Sequence, residues 1–241
     1  MGNVSNYKQF EKHFKYLIPE LKRTLKSGRM CAIHCMDLPI QKGKEGYIGL
    51  RDFSGMLIDW FQNEGFIYHS KVTLWKNPVT EMQRTKALGL LHKQIKKDAA
   101  MSRMGIPDFV VTMRKPGENP ERVTHTNESF PVAVWQRYAS PVWFDIDQTD
   151  VLNYKLAKEK DEERHICPLQ LDVIERAIEL WSNPGDLVFS PFTGIGSEGY
   201  VALKMRRRFV GAELKESYFN IALRNLAEAS KAKDQLDMFA A

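Results

Sequence analysis

Apolar residues recur at helical spacing near the start of the chain, at Tyr7, Phe10, Phe14, Leu17, Ile18, Leu21 and Leu25. Steps of three and four put them on one face, which predicts an amphipathic helix over residues 6–27. Gly28, just after Lys26, supplies the stop. The period then changes. MCAIHC (30–35) suits a short buried strand, and LRDFSGMLIDWFQNEG (50–65) returns to helical spacing until Gly65. FIYHSKVTLW (66–75) alternates as a strand does, and PDFVVTMRK (107–115) reads as another. From 116 to 165 there is little periodicity, only prolines and scattered aromatics.

The last third is the most regular. PLQLDVIERAIELWS (168–182) predicts a helix closed by Asn183-Pro184-Gly185. Strand DLVFSPF, helix SEGYVALKM, strand RFVGAEL and helix ESYFNIALRNLAEASKA follow in turn. Strands alternating with helices predict parallel β-α-β units, hence an α/β sheet. No internal repeat or low-complexity tract interrupts the chain.

Composition narrows the class without naming a function. With 241 residues, 43% hydrophobic and 27% charged, the chain fits one large globular domain or one domain with a long insertion. No stretch approaches the roughly 18–20 apolar residues of a membrane span, and MGNVSNYKQFEKHF lacks the apolar run of a signal peptide. Cys31, Cys35 and Cys167 are three cysteines at spacings that suggest neither a disulfide framework nor a zinc site. A cytoplasmic, reducing setting and no bound metal are the expectation.

The net charge of +5 is concentrated. Residues 76–122 hold ten Lys and Arg against five acids, which accounts for the whole excess. Cations in a loop-rich region neutralise phosphates without reading sequence, so Arg84, Lys86, Lys93, Lys96, Lys97 and Arg103 are candidate DNA contacts. A solvated amphipathic helix is the alternative. Trp135, Tyr138 and Trp143 suit either stacking on bases or a core.

In open α/β sheets small ligands sit at the carboxyl ends of strands, where glycines let them approach the backbone. Gly194 and Gly196 in SPFTGIGSEG occupy such a place. Glu213 ends the next expected strand, 17 residues past Gly196, close to the offset at which an acid accepts from ribose hydroxyls. The alternative is that the glycines only allow a strand and helix to pack. Gly199 stands at the third-glycine offset of a dinucleotide fingerprint, in a different local sequence.

Three ordered runs, HICPLQLDVIERAI, GDLVFSPFTGIGSEG and RRFVGAELKESYFNIALRNL, resemble the cofactor half of amino-methylating DNA methyltransferases. The resemblance is to the permuted β class, particularly its phage and prophage members. It implies a Rossmann-like S-adenosylmethionine-dependent methyltransferase sheet with circularly permuted motif order. It also implies one domain over 1–241: the later part of a catalytic half (1–75), a target-recognition insertion (76–125), a cofactor-binding half (165–230) and a tail (231–241). The implied activity is site-specific methylation of adenine N6 or cytosine N4 in double-stranded DNA, as in restriction-modification. By the resemblance, Ser190, Pro191, Phe192, Gly194 and Gly196 hold the methionine and ribose parts of the cofactor, with Phe192 near the adenine or the sulfonium. Glu213 takes the ribose hydroxyls. The segment from His165 through Cys167 and Pro168 to Gln170, at the start of a helix, holds the methionine carboxylate. Two positions depart from the family: Ser190 stands where Asp is usual, and Cys167 where Lys is usual.

The catalytic loop of that family is [Asp/Asn/Ser]-Pro-Pro-[Tyr/Phe/Trp] after a central strand, and this chain has no Pro-Pro pair. Asp37-Leu38-Pro39-Ile40 follows a strand but lacks the second proline and the ring, and reads as a turn. His34 reads as a core residue. The family order therefore predicts two missing strands, one of them beside the strand ending at Ser190, and leaves the catalytic residues unassigned. A truncated gene, a fragment, or half of a split enzyme completed by an N-terminal polypeptide or as a homodimer would fit. So would a non-catalytic module that binds DNA, the cofactor or a clamp. At the other end, Gln235-Leu236-Asp237-Met238-Phe239 resembles the bacterial sliding-clamp-binding peptide. It suits a disordered tail presenting Leu236, Met238 and Phe239 to an apolar groove, or one packed on its own domain.

Overall fold

The computed structural model describes residues 7–40, 42–85, 87–152 and 168–239. They fall into two compact units, one of residues up to 122 with 132–145, the other of 123–131 with 146 onward.

The first unit opens with helix α1 (Tyr7–Thr24), which stops before Gly28 as its spacing predicts. Strand β1 (Met30–Met36) follows, then an unforeseen hairpin of β2 (Leu38–Ile40) and β3 (Gly49–Arg51) with a single turn of helix, α2 (Lys42–Glu45), at its tip. Helix α3 (Phe53–Asn63) is capped by Asp52, whose carboxylate accepts from the Gly55 N–H, and strand β4 (Ile67–Leu74) comes next. The basic segment forms α4 (Pro78–Thr85), α5 (His92–Lys97) and two short 3-10 turns before β5 (Asp108–Arg114). Helix α6 (Val132–Tyr138) and the two-residue strand β6 (Val142–Trp143) occupy the stretch that showed no periodicity. They are too short to register as a repeat.

The sheet order is β1-β5-β4-β6. β5 runs antiparallel to β1 and β4, so those two share a direction, and β6 lies parallel to β4. One face carries Cys35, Val111 and Met113 against Phe14 and Ile18 of α1 and Leu57, Trp60 and Phe61 of α3. Burial pushes the Cys35 thiol up to about 12, with Asp37 adding to the effect, so it stays protonated and inert. Trp143 and Tyr138 are buried, and the Trp143 indole donates to the Tyr138 carbonyl, so these two aromatics are structural. Trp135 is exposed.

The second unit contains helix α7 (Leu171–Trp181), strand β7 (Leu187–Ser190), helix α8 (Ser197–Lys204), strand β8 (Arg208–Gly211) and helix α9 (Glu216–Phe239). β7 and β8 pair in parallel around α8, the β-α-β unit the alternation predicts. Ile174 and Ile178 of α7 pack with Val201 and Ala202 of α8, Val188 of β7 and Phe209 of β8. Residues 231–239, expected as a separate tail, continue α9. The run KAKDQLDMF has no glycine or proline to stop a helix and is rich in helix formers. Among the described residues, no helix is long and apolar enough to cross a membrane.

Candidate cofactor site and its surroundings

β7 ends at the buried Ser190, and the chain then turns sharply. The turn is sewn to the end of β8: Ala212 N–H donates to the Ser190 carbonyl at 3.0 Å, and Thr193 N–H to the Ala212 carbonyl at 3.0 Å. Gly194 (φ +54°) and Gly196 (φ +92°) adopt left-handed backbone that a β-carbon disfavours. A β-carbon on Gly194 would meet nothing within 4 Å, so beside this glycine the backbone faces open space. Gly196 begins α8 and lies against Ala222, and Asn225 Nδ2 donates to the Ile195 carbonyl at 2.7 Å, so α9 holds the turn.

Two further glycines are there for space. A β-carbon on Gly199 would come 2.5 Å from Leu226 Cδ2 and 2.6 Å from the Phe209 ring, so Gly199 lets α8 approach α9 and β8. Gly211 would place its β-carbon 2.1 Å from Thr193 Oγ1. Sequence reading did not single out Gly211. Its requirement comes from a residue 18 positions away crossing over it.

Glu213 closes the site. Its Oε2 accepts from Gly194 N–H at 2.8 Å and its Oε1 from Lys215 N–H at 2.9 Å. A carboxylate has about four acceptor positions, so each oxygen keeps one for a ligand hydroxyl. Two apolar side chains stand out beside it: Phe192 is 51% exposed and Leu214 is 99% exposed. Leu214 is a residue the sequence reading missed. The signal was an apolar residue directly after the strand-ending acid. Pro191 is half-buried in the turn. Pro168 and Gln170 are half-buried before α7, where Leu171 N–H donates to the Asp150 carbonyl. His165 and Cys167 lie outside the described residues. An open turn, a glycine that frees backbone, a diol-competent carboxylate and two exposed apolar side chains fit a nucleoside-bearing cofactor.

In the first unit, the carboxyl ends of β1 and β4 meet the start of β5. Asp108 is buried there, with His34 Nε2 3.1 Å from its Oδ2 and Lys76 Nζ donating to its Oδ1 at 2.5 Å. Burial pushes Asp108 up, but the hydrogen bonds and charge of His34 and Lys76 outweigh it and hold the carboxyl below its ordinary range. His34 is thus a half-exposed ion-pair partner instead of the core residue its strand position suggested. Asp37 accepts from Ser54 N–H at 3.1 Å, and Leu38-Pro39-Ile40 form strand β2, paired with β3, where a turn was expected. Among the described residues no cluster of His, Cys, Asp and Glu could hold a metal ion.

Of the cations proposed for DNA, Arg84, Lys93, Lys96 and Lys97 are exposed on α4 and α5. Arg103 is engaged elsewhere: its guanidinium meets Glu81 Oε1 at 3.3 Å and donates to the Met104 carbonyl, while Glu81 Oε2 accepts from Ile106 N–H. Lys86 lies outside the described residues. Gln235, Leu236, Met238 and Phe239 fall within the last turns of α9.

The chain is similar to known DNA methyltransferases. Type II methyltransferase M1.MboII of Moraxella bovis is 32% identical over 120 residues, 46% of this chain and 45% of that protein. Type II methyltransferase M.BglII of Bacillus subtilis is 31% identical over 112 residues, 40% of this chain and 31% of that protein. The matches thus span less than half the length of these relatives. Among solved structures, the putative DNA modification methylase TTHA0409 of Thermus thermophilus, complexed with S-adenosyl-L-methionine, superposes with a TM-score of 0.70 at 19% identity, covering 95% of this chain and 82% of that one. PvuII DNA methyltransferase, cytosine-N4-specific, gives 0.62 at 14% identity over 97% and 79%. At these identities the likeness is one of fold, a Rossmann-like methyltransferase α/β architecture. The N6/N4 methyltransferase family model, described as DNA methylase, matches residues 1–224, and the chain belongs to that DNA methylase family.

Proposed function

We propose that this chain methylates an exocyclic amine, adenine N6 or cytosine N4, in double-stranded DNA, using S-adenosylmethionine. The observation that carries the reading is the Gly194–Glu213 arrangement at the end of β7, in a chain whose family match runs over residues 1–224. When bound, S-adenosylmethionine supplies an electrophilic methyl group on a sulfonium. Glu213 accepts from its ribose hydroxyls, Phe192 and Leu214 flank its adenine, and the turn from Ser190 to Gly196 cradles the rest. The segment before α7, with Pro168 and the undescribed His165 and Cys167, takes the carboxylate. The target amine would displace the methyl group in line, the N–C bond forming as the S–C bond breaks, with the neutral thioether leaving and the amine's surplus proton passing to solvent. The base must leave the duplex, at a cost of a few kcal/mol, and holding it in line is the chief catalytic contribution. The exposed Arg84, Lys93, Lys96 and Lys97 bind phosphates. Incorporation of labelled methyl into bacterial or phage DNA, with base analysis of the product, tests the reading. Absence of both cofactor binding and methyl incorporation overturns it.

One observation favours a second reading, in which the chain needs a further strand to be active. Among the described residues nothing pairs with the outer edge of β1. Lys115 N–H donates to the Arg29 carbonyl. By the alternation of an antiparallel ladder, Met30, Ala32, His34 and Met36 then turn their backbone groups outward. MCAIHCM is seven residues long, without lysine, proline or bulge, none of the devices that protect a free edge. β7 likewise pairs only with β8 among the described residues. A strand carrying a Pro-Pro loop, from an N-terminal polypeptide, would complete such an edge. Restoration of methylation by an added peptide bearing that loop tests it. A fully active isolated chain rules it out. The C-terminal Gln235-Leu236-Asp237-Met238-Phe239 is proposed as a sliding-clamp contact, and a tail peptide that fails to bind purified clamp ends that idea.

A further inference from the structure

The hairpin between β1 and α3 has no role in the cofactor site or in the basic segment. We infer that it is a second DNA-contacting element, pressing Tyr47 against a base while its lysines meet phosphate. This inference rests on the DNA reading above and names the surface that serves it.

Its base is held firmly. Asp37 accepts from Ser54 N–H, Asp52 accepts from Ser54 Oγ at 3.2 Å and Gly55 N–H at 2.8 Å, and Lys71 donates to Ser54 Oγ at 3.0 Å. Arg51 pairs with Glu45 at 3.0 Å and lays its guanidinium 4.0 Å from the centre of the Tyr7 ring. Its tip is uncovered. Tyr47 is 55% exposed, Ile48 38% and Leu50 48%, and β-carbons on Gly43 and Gly46 would meet nothing within 4 Å. An isolated two-stranded ribbon gains little stability from such residues, and adjoining exposed apolar side chains mark a contact surface.

Charge selects the partner. Residues 41–51 contain Lys42, Lys44 and Arg51 against Glu45 alone. Arg51 and Glu45 pair with each other, and Lys42 and Lys44 belong to α2, the turn between the two strands. Cations beside an aromatic ring suit a polyanion with stackable bases. The hairpin also leaves β1 at its carboxyl end, the side of an α/β sheet where substrates gather.

The test uses the full chain and a short duplex in a salt series read by fluorescence anisotropy, with cofactor affinity measured alongside. Tyr47→Ala should weaken DNA binding roughly 5-fold to 150-fold, the range for one base–aromatic stack, and Tyr47→Phe should restore it. The pair Lys42→Ala and Lys44→Ala should flatten the slope of log K against log salt by about 1.8. Cofactor affinity should match the parent's in every variant. DNA binding and slope equal to the parent's in both Tyr47→Ala and the double lysine variant would overturn the inference while leaving the DNA reading intact. A parent chain that shows no salt-dependent duplex binding would overturn both.

Discussion

Replacing Gly211 with alanine should damage the turn after β7, the proposed cofactor cradle, without replacing any residue assigned to the cofactor. Gly211 ends β8 opposite Ser190 and lacks a positive φ, so its backbone tolerates alanine. The obstacle is steric. The new β-carbon would sit 2.1 Å from Thr193 Oγ1, more than 1 Å short of an ordinary contact, and 2.9 Å from the Phe209 ring. Thr193 is buried and bonded through its N–H to Ala212, so it cannot withdraw freely. Overpacking of this kind costs about 1–3 kcal/mol, partly offset by the roughly 0.5–1 kcal/mol that alanine gains over glycine in strand entropy. A net loss near 1 kcal/mol corresponds to a fall of about 2–4 °C in Tm for a chain of this size. Displacing Thr193 also pulls Gly194 from Glu213, so cofactor affinity should fall in parallel. Thermal unfolding and calorimetric cofactor titration of Gly211→Ala, Thr193→Ala and the double variant read both effects. The double variant should be little worse than Thr193→Ala alone, a coupling of about 1 kcal/mol or more. Simple additivity of the two costs, or a Gly211→Ala chain with the parent's Tm and affinity, would refute the reasoning.

Glu213→Ala removes acceptors for Gly194 and Lys215 and, on the proposed function, for two ribose hydroxyls. At about 1.5–3 kcal/mol per charged hydrogen bond, cofactor affinity should drop at least 100-fold, and a calorimetric Kd near the parent's would refute the assignment. Asp108 is held below its ordinary range, so its pairing stabilises the fold above the unfolded-state pKa of about 3.9 and is lost as pH falls through the folded value. The Tm gap between the parent and Asp108→Asn should therefore be wide at pH 7 and close below pH 4, and a pH-independent gap would contradict this. Because Arg103 is committed to Glu81, Arg103→Ala should lower Tm and leave the salt slope of DNA binding unchanged. Lys93→Ala, Lys96→Ala and Lys97→Ala together should do the reverse, flattening the slope by about 2.7 if each lysine meets one phosphate. Matching slopes in parent and triple variant would remove those lysines from the interface.

Local pattern was enough for most of the elements here, because a helix or strand that buries one face writes its period into the chain. α1, α3, β4, β5 and the whole alternation from α7 to α9 were legible that way. So was the turn after β7: left-handed backbone between a strand and a helix calls for glycine, and an acid ending the next strand is a short-range signal. The sequence by itself thus determined the α/β class, the parallel unit around α8, and Gly194, Gly196 and Glu213 as a set. Tertiary structure decided what depends on partners distant in the chain. His34 belongs to Asp108 because β1 and β5 run side by side, 70-odd residues apart. Arg103 looks like a free cation until the fold sets Glu81 against it, and Trp143 looks available for stacking until β4 buries it. Gly211 is required by Thr193 crossing over it, and the hairpin at 38–51 was hidden because a three-residue strand has no period to read. Helical continuation to Phe239 reflects good helix formers with nothing to stop them. What remained illegible in each case is a pairing across space, which one-dimensional spacing does not encode.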